Sequence, residues 1–441
     1  MADMIPIRLS KGTAPDLTSN TGGIVTPNPF WLASAPPANS GGQIMRAFDA
    51  GWGGAVWKTL GTPIQNVSSR FGAVHYKGTR AIGFNNIELI TDRPLDINLR
   101  EISEVKKRYP RHALIVSLMV ESKRETWHDI VRRAEDAGAD GLELNFGCPH
   151  GMSERGMGSA VGQVPDYTCQ IVEWVKEVAK TPVIVKLTPN ITDVTFPARA
   201  AEKGGADAVS LINTINSVTG IDLETLTPRP SVHGASAHGG YCGPAVKPIA
   251  LSMVASVAQT VKIPISGIGG IASWQDAVEF ILLGSSTVQV CTAVMHHGFR
   301  IVLDMIDGLS AYLDRKGFSS VQELVGLSVP RYQRWEQLNL NYRVIADIKQ
   351  DKCIGCGVCY AACYDGAHQA IAVKPNDRGR STVEILEHKC VGCNLCSLVC
   401  PVDDCITMKR IDSYGEERLP WTEYSKNPSL YPHVRSNRHD Q

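Results

Sequence analysis

No window of the sequence approaches the roughly 20 apolar residues needed to cross a bilayer. The first 20 residues contain no basic segment followed by an apolar stretch, so neither a membrane span nor a secretory leader is expected. An excess of one charge is lacking too: Lys plus Arg and Asp plus Glu number 44 each. Without a long run of one sign, nucleic acid and anionic lipid are poor candidates as partners, and a small uncharged ligand is the better expectation. No G-x-G-x-x-G follows the first candidate strand, which weakens a dinucleotide-binding fold. Cysteine, by contrast, is plentiful at 13 residues. Eight of them fall in two tight groups in a long chain without a leader, the pattern of metal ligands kept reduced in the cytoplasm rather than of a disulfide framework.

At 441 residues the chain exceeds one ordinary domain, and two of unequal size are expected. From residue 30 to about 326, short β-branched runs alternate with amphipathic stretches, the mark of repeated βα units. Eight strands are expected at 30–35, 53–58, 113–119, 141–146, 182–187, 208–213, 263–268 and 287–291. Helical patterns at 127–137, 167–179, 194–203 and 274–283 lie between them, several ending in Gly-Ala-Asp turns. Eight units in about 300 residues fit a TIM (β/α)8 barrel better than an open sheet. The expected division is a barrel at 1–326, a linker at 327–346, a cysteine-rich domain at 347–410 and an extended tail at 411–441.

Cys353, Cys356, Cys359 and Cys363 have the spacing C-x2-C-x2-C-x3-C, and Cys390, Cys393, Cys396 and Cys400 repeat it before Pro401. In two-cluster ferredoxins the fourth cysteine of each run reaches across to the other cluster. One [4Fe-4S] cluster is therefore expected on Cys353, Cys356, Cys359 and Cys400, and a second on Cys390, Cys393, Cys396 and Cys363. Structural zinc uses separated C-x2-C pairs and has no need of the third cysteine in each run. Tyr364 stands where the second run has Pro, and Cys405 is a surplus cysteine expected to pack as a small apolar side chain.

The expected strand ends carry Ser34, Lys58 with Thr59, Asn145 with Cys148, Lys186, Asn213 with Thr214, Gly269 with Gly270, and Thr292. In a barrel all of them open onto the face where active sites are built. Each alone reads more readily as a loop cap, but together they suit one flat polar ligand. Clusters carry single electrons, and coupling them to two-electron chemistry calls for a flavin. Ser266-Gly267-Ile268-Gly269-Gly270 and Thr292 suit its phosphate. Lys186 is placed to stabilise negative charge on a reduced ring, unless it snorkels to solvent. Cys148, at the rim beside Pro149, is a candidate general acid under a lid at 152–158, and otherwise a small buried thiol. His150 is expected to orient that loop.

Asn86-Ile87-Glu88-Leu89-Ile90, Glu143-Leu144-Asn145, Cys148-Pro149-His150-Gly151-Met152, Glu154-Arg155-Gly156-Met157-Gly158, Lys186-Leu187-Thr188-Pro189-Asn190, Gln289-Val290-Cys291 and both cysteine runs resemble the dihydropyrimidine dehydrogenases. The resemblance extends from Asn28 through Cys405. It implies FMN contacts by Ser34, Lys58, Thr59, Asn145, Lys186, Gly243, Ile268, Gly269, Gly270, Cys291 and Thr292. It implies a pyrimidine held by Asn86, Asn145, Gly147, Asn213 and Thr214, with Cys148 as the acid. Long forms of the family carry an N-terminal half with FAD, NAD(P)H and further clusters. The chain accordingly looks like the FMN subunit of the two-subunit bacterial form. Its implied partner is a flavoprotein that oxidises NAD(P)H, in a heterotetramer built on a dimer of this subunit. Gly147, where the family pattern has Ser, and Ile215-Asn216-Ser217 are departures that bear on the choice of pyrimidine. The alternatives are a cluster-linked dihydroorotate dehydrogenase and an electron-relay subunit with an inert barrel.

Overall fold

The computed structural model describes residues 14–76, 78–149, 156–339, 343–375, 381–411 and 425–426. Eight parallel strands close into a barrel: β1 (Phe30–Leu32), β2 (Gly54–Leu60), β3 (Ala113–Leu118), β4 (Gly141–Asn145), β5 (Val183–Lys186), β6 (Ala208–Leu211), β7 (Ile265–Ile268) and β8 (Ser285–Val290). Each pairs with its neighbours in chain order, and β8 returns to β1 with Val288 opposite Phe30. Helices Arg124–Asp136, Pro165–Lys176, Thr195–Lys203 and Trp274–Leu282 lie where the sequence places them. The expected TIM barrel is the fold of this unit.

Period-two alternation sorts the strand side chains into two sets. Trp57, Val116, Leu144, Val185 and Val209 join the helices in one large apolar cluster. Trp31, Val56, Ile115, Ile184 and Ala208 form a separate cluster inside the barrel with Ile24. Ile24 comes from a hairpin, Ser19–Thr21 with Ile24–Thr26, that plugs the N-terminal end. A Cβ on Gly141 would stand 2.6 Å from Ile24 Cδ1, so glycine makes room for the plug. Two residues further along the strands the inward positions turn polar: Ser117, Lys58, Glu143, Lys186, Ser210 and Gln289 are all buried. The interior is therefore apolar below and polar beneath the C-terminal mouth.

The connections after β2 and β6 hold strands that the sequence reading does not contain. Ile215–Ser217, Gly239–Cys242, Thr79–Asn86 and Phe71–Tyr76 form a four-stranded antiparallel sheet in that order. Two of its members are three or four residues long. Gly239 and Gly240 replace the usual strand formers there, so neither period nor propensity reveals them.

The first compact unit extends to Tyr332, beyond the expected boundary at 326. The extra residues are tied down: Ser328 N–H donates to Leu282 O at 2.9 Å, and the Gln259 side chain donates to the carbonyls of Val329 and Tyr332. In the second unit Arg343–Ile348 pairs with Ile406–Ile411, and Ile371–Pro375 with Ser381–Ile385. The first of these strands begins inside the expected linker, because Ile345 and Ala346 have an apolar interior to join. Ala346, Ile371, Val383 and Ile406 surround Cys359, Cys363, Cys396 and Cys405 there. Apart from 425–426, the expected tail beyond residue 411 lies outside the described residues.

Candidate active site and cluster pockets

One cavity opens at the C-terminal mouth of the barrel. It brings together Ser34, Lys58, Thr59, Asn145, Cys148, Lys186, Asn213, Thr214, Ile268, Gly269, Gly270, Cys291 and Thr292, and the added sheet contributes Asn86 and leads into Gly243. At one corner Gly269 and Gly270 have φ of 130° and 78°, and Gly243 has 87°. A Cβ on Gly270 would lie 2.8 Å from Gly243 O and 2.9 Å from Lys247 N, and one on Gly243 would touch Thr292 Cγ2 at 3.5 Å. Three backbone segments thus converge where a phosphate was expected. Gln289 lines the same cavity, and its buried Oε1 has no hydrogen-bond partner. Unpaired polar capacity beside a positive lysine fits the polar edge of a flavin ring.

A chain of side-chain hydrogen bonds crosses the mouth. Thr59 Oγ1 shares hydrogen bonds with Ser117 Oγ at 2.9 Å and Ser34 Oγ at 3.3 Å, and accepts one from Asn145 Nδ2 at 3.0 Å. Asn213 Nδ2 donates to Asn145 Oδ1 at 3.0 Å, and Thr214 N–H donates to Asn213 Oδ1 at 2.8 Å. The two amides are held by each other and by Thr59 and Thr214 of the same wall, and each NH2 has a second proton for a ligand carbonyl. Asn86 Nδ2 donates to Gly240 O at 3.1 Å, within the added sheet.

Gly147, expected among the ligand contacts, does not line the cavity. Its N–H donates to Asn145 Oδ1 at 3.2 Å, and a Cβ there would stand 2.5 Å from Asn213 Cβ and 2.7 Å from Asn213 Nδ2. The family's serine and the observed Asn213 conformer exclude each other sterically. Gly147→Ser should push Asn213 off Asn145 and weaken binding of the expected pyrimidine about tenfold, the worth of one net hydrogen bond of about 1.4 kcal/mol. Titration of the flavin absorbance with uracil checks this, and an unchanged affinity would refute it.

Both cavity lysines are buried, Lys58 at 4% and Lys186 at 6% exposure, so neither snorkels. Each has a carboxylate partner: Lys58 pairs with Glu88, and Lys186 Nζ lies 3.6 Å from Glu143 Oε1. Glu143 and Gln289 stand two residues before Asn145 and Cys291 on their strands. The signal that finds them is the inward period of two, with a charge in an otherwise apolar run. Cys242, from the added sheet, also lines the cavity and accepts from Thr292 Oγ1 at 3.3 Å. Burial pushes the Cys242 thiol up to about 11 and raises that of Cys291 further, so both stay protonated.

Cys148 is 7% exposed and reaches the cavity with Ile90, Met119 and Met157 packed against it. The loop returns tightly to it: Ser159 N–H donates to Cys148 O at 3.0 Å, and a Cβ on Gly158 (φ 59°) would lie 2.7 Å from that oxygen. His150 and most of the expected lid, residues 150–155, lie outside the described residues. In the second unit, one pocket is lined by Cys353, Cys356, Cys359 and Cys400, and another by Cys363, Cys390, Cys393 and Cys396. These are the two crossed sets that the spacing implies, with chiefly apolar walls suited to a cubane. Cys405 is buried at 2% exposure, but it lines the first pocket rather than packing away from the thiols.

Residues 16–313 match the dihydroorotate dehydrogenase family, and residues 346–408 match a 4Fe-4S dicluster domain. The chain is 45% identical over 412 residues to the NAD-dependent dihydropyrimidine dehydrogenase subunit PreA of Escherichia coli (strain K12), covering 92% of this chain and 99% of that one. It is 44% identical over 329 residues to the chloroplastic dihydropyrimidine dehydrogenase (NADP(+)) of Arabidopsis thaliana, covering 71% and 77%. It is 37% identical over 322 residues to the catalytic subunit of dihydroorotate dehydrogenase B (NAD(+)) of Pyrococcus abyssi, covering 71% and 99%. Among the described residues no helix is long and apolar enough to cross a membrane.

Proposed function

Because the chain belongs to the dihydroorotate dehydrogenase family and, within it, to the dihydropyrimidine dehydrogenases, we propose that it reduces the C5=C6 bond of uracil or thymine at the barrel mouth. The observation that carries the reading is the charge balance of the cavity. Among the described residues lining it, the only lysines or arginines are Lys58 and Lys186, and each already has a carboxylate partner. An anionic substrate such as orotate would call for an uncommitted cation, whereas the Asn86, Asn145 and Asn213 amides match the N–H and C=O edges of a neutral pyrimidinedione. This is what favours a pyrimidine over dihydroorotate.

Ser34, Lys58, Thr59, Lys186, Gly243, Ile268 to Gly270, Cys291 and Thr292 would hold FMN, which would supply hydride for C6 when bound. The amides of Asn145 and Asn213, fixed by Thr59 and Thr214 beside them, orient the ring. Asn86 holds it from the sheet side. Cys148 delivers the proton to C5, and its apolar neighbours Ile90, Met119 and Met157 keep water away from that step.

The crossed cysteine sets would hold two [4Fe-4S] clusters, which would supply single-electron transfer, and the electrons would come from a partner flavoprotein that carries FAD and oxidises NAD(P)H. In this reading the chain works in the cytoplasm as a dimer within a heterotetramer. Anaerobically purified protein should hold one FMN and about eight irons per chain. It should reduce uracil with an artificial one-electron donor but turn over NADH or NADPH only after the partner is added. Iron near four per chain would sink the two-cluster assignment, and rapid NAD(P)H oxidation by the homogeneous chain would reveal a nicotinamide site within it.

A further inference from the structure

Among the described residues Glu143 is the most completely buried charged side chain of the barrel, and it does not line the cavity expected to hold substrate and cofactor. It is 0% exposed and is absent from the cavity wall. Its Oε2 accepts hydrogen bonds from Ser210 Oγ at 2.9 Å and Gln289 Nε2 at 2.9 Å. Its Oε1 has no hydrogen-bond partner and stands 3.6 Å from Lys186 Nζ. Lys186 itself lines the cavity, so the ammonium group lies between the carboxylate below and the ligand space above. Gln289 repeats the arrangement, with its nitrogen on Glu143 and its oxygen unpaired. A core needs none of this. Elsewhere in the same inward layer serine suffices, at Ser117 and Ser210, and an apolar side chain would avoid the desolvation of a carboxylate.

We propose that Glu143 is a positioning residue that sets the reduction potential of the flavin by offsetting the charge of Lys186. The inference rests on the reading that FMN occupies this cavity. Reduction of a flavin by two electrons and one proton leaves one negative charge on its ring. In this protein the electrons come from the cluster domain and the proton from solvent. A lysine facing the ring stabilises that charge and raises the potential. The carboxylate behind the lysine reduces the field that the ring feels, in a site where charges are weakly screened. Glu143 therefore keeps the bound flavin a stronger reductant, suited to giving hydride to a pyrimidine, than Lys186 alone would allow. Ser210 and Gln289 hold the carboxylate in place behind the lysine, since both donate to its Oε2.

The test is the midpoint potential of FMN in the full chain, measured without substrate, for the parent, Glu143→Gln, Lys186→Met and the double variant. Glu143→Gln keeps the side-chain shape and an acceptor for Ser210. Its potential should rise above the parent, and single-turnover flavin reoxidation by uracil should slow about tenfold or more. Lys186→Met should fall below the parent. The double variant should lie above Lys186→Met, because the carboxylate is then gone as well. This last comparison holds even if Glu143→Gln fails to fold. A potential for Glu143→Gln at or below the parent, or a double variant equal to Lys186→Met, would overturn the proposal. A parent chain that holds no FMN would instead overturn the function on which it rests. A parent that holds FMN but cannot reduce uracil would leave the order of potentials as a separate result.

Discussion

Cys148→Ala should retain FMN and pyrimidine and reoxidise its reduced flavin about 10² to 10⁴ times more slowly with uracil, the usual contribution of a positioned acid. Binding should survive because the expected contacts on both ligands come from other residues: the amides of Asn145 and Asn213 are held by Thr59 and Thr214, not by the thiol. The thiol is confined from three sides, by Met119, by Met157 and by the chain at Gly158 and Ser159. Removing Sγ leaves a small apolar gap that water fills poorly, so bulk solvent does not replace the lost proton donor. Cys148→Ser should be nearly as slow, since a hydroxyl is a far weaker acid than a thiol with an unperturbed pKa of about 8.5. Stopped-flow absorbance of the flavin, mixed with saturating uracil, reads the step directly. A full-rate Cys148→Ala would assign the proton to another group and leave Cys148 as packing.

The second large effect is on stability. Lys186→Met leaves Glu143 fully buried with no counter-charge and should destabilise the barrel by about 3–5 kcal/mol, the cost of breaking a buried pair from one side. Ser210 and Gln289 soften this only in part, because both donate to Oε2 while Oε1 faces the vacated ammonium position. The double variant Lys186→Met/Glu143→Gln should recover most of the loss. Lys58→Met is the informative comparison. Its partner Glu88 keeps Arg70 Nη1 at 3.4 Å, so that substitution should cost distinctly less. Urea unfolding of the four apoproteins, with m-values compared, checks the series. A loss below about 1 kcal/mol for Lys186→Met would mean that Glu143 takes up a proton or gains water instead.

The barrel was legible because most of its strands carry β-branched residues in short apolar runs that alternate with helices of amphipathic pattern. Strand ends then placed Ser34, Lys58, Asn145, Lys186, Asn213 and Thr292 on one face without further information. The cysteine pockets were legible for a different reason: three ligands within seven residues leave a cubane almost no other geometry, and the crossing of Cys363 and Cys400 follows from the fold of the module. What the sequence concealed is non-local. The sheet over the mouth joins strands up to about 150 residues apart through glycines and short segments, as in the pairing of Asn86 with Gly240. Asn86 was expected at the site from its motif, but the strand that delivers it was not. The reach of Gly147 was also misjudged, because the space beside it is filled by Asn213, from a different strand end. Glu143 and Gln289 sit inside motifs that the resemblance itself quotes, yet their roles depend on which side of the strand faces inward. That becomes visible only when the barrel is closed.

The central claim is that the barrel mouth reduces a neutral pyrimidine and not an orotate-type anion. The most direct measurement is single-turnover reoxidation of the chemically reduced flavin in the isolated chain, mixed anaerobically and in parallel with uracil, thymine and orotate. Uracil or thymine should reoxidise the flavin within the time of a turnover and yield the 5,6-dihydropyrimidine, while orotate should leave it reduced, since Lys58 and Lys186 are already paired with Glu88 and Glu143. Rapid reoxidation by orotate, with uracil and thymine inert, would contradict the claim and move the chain to dihydroorotate chemistry.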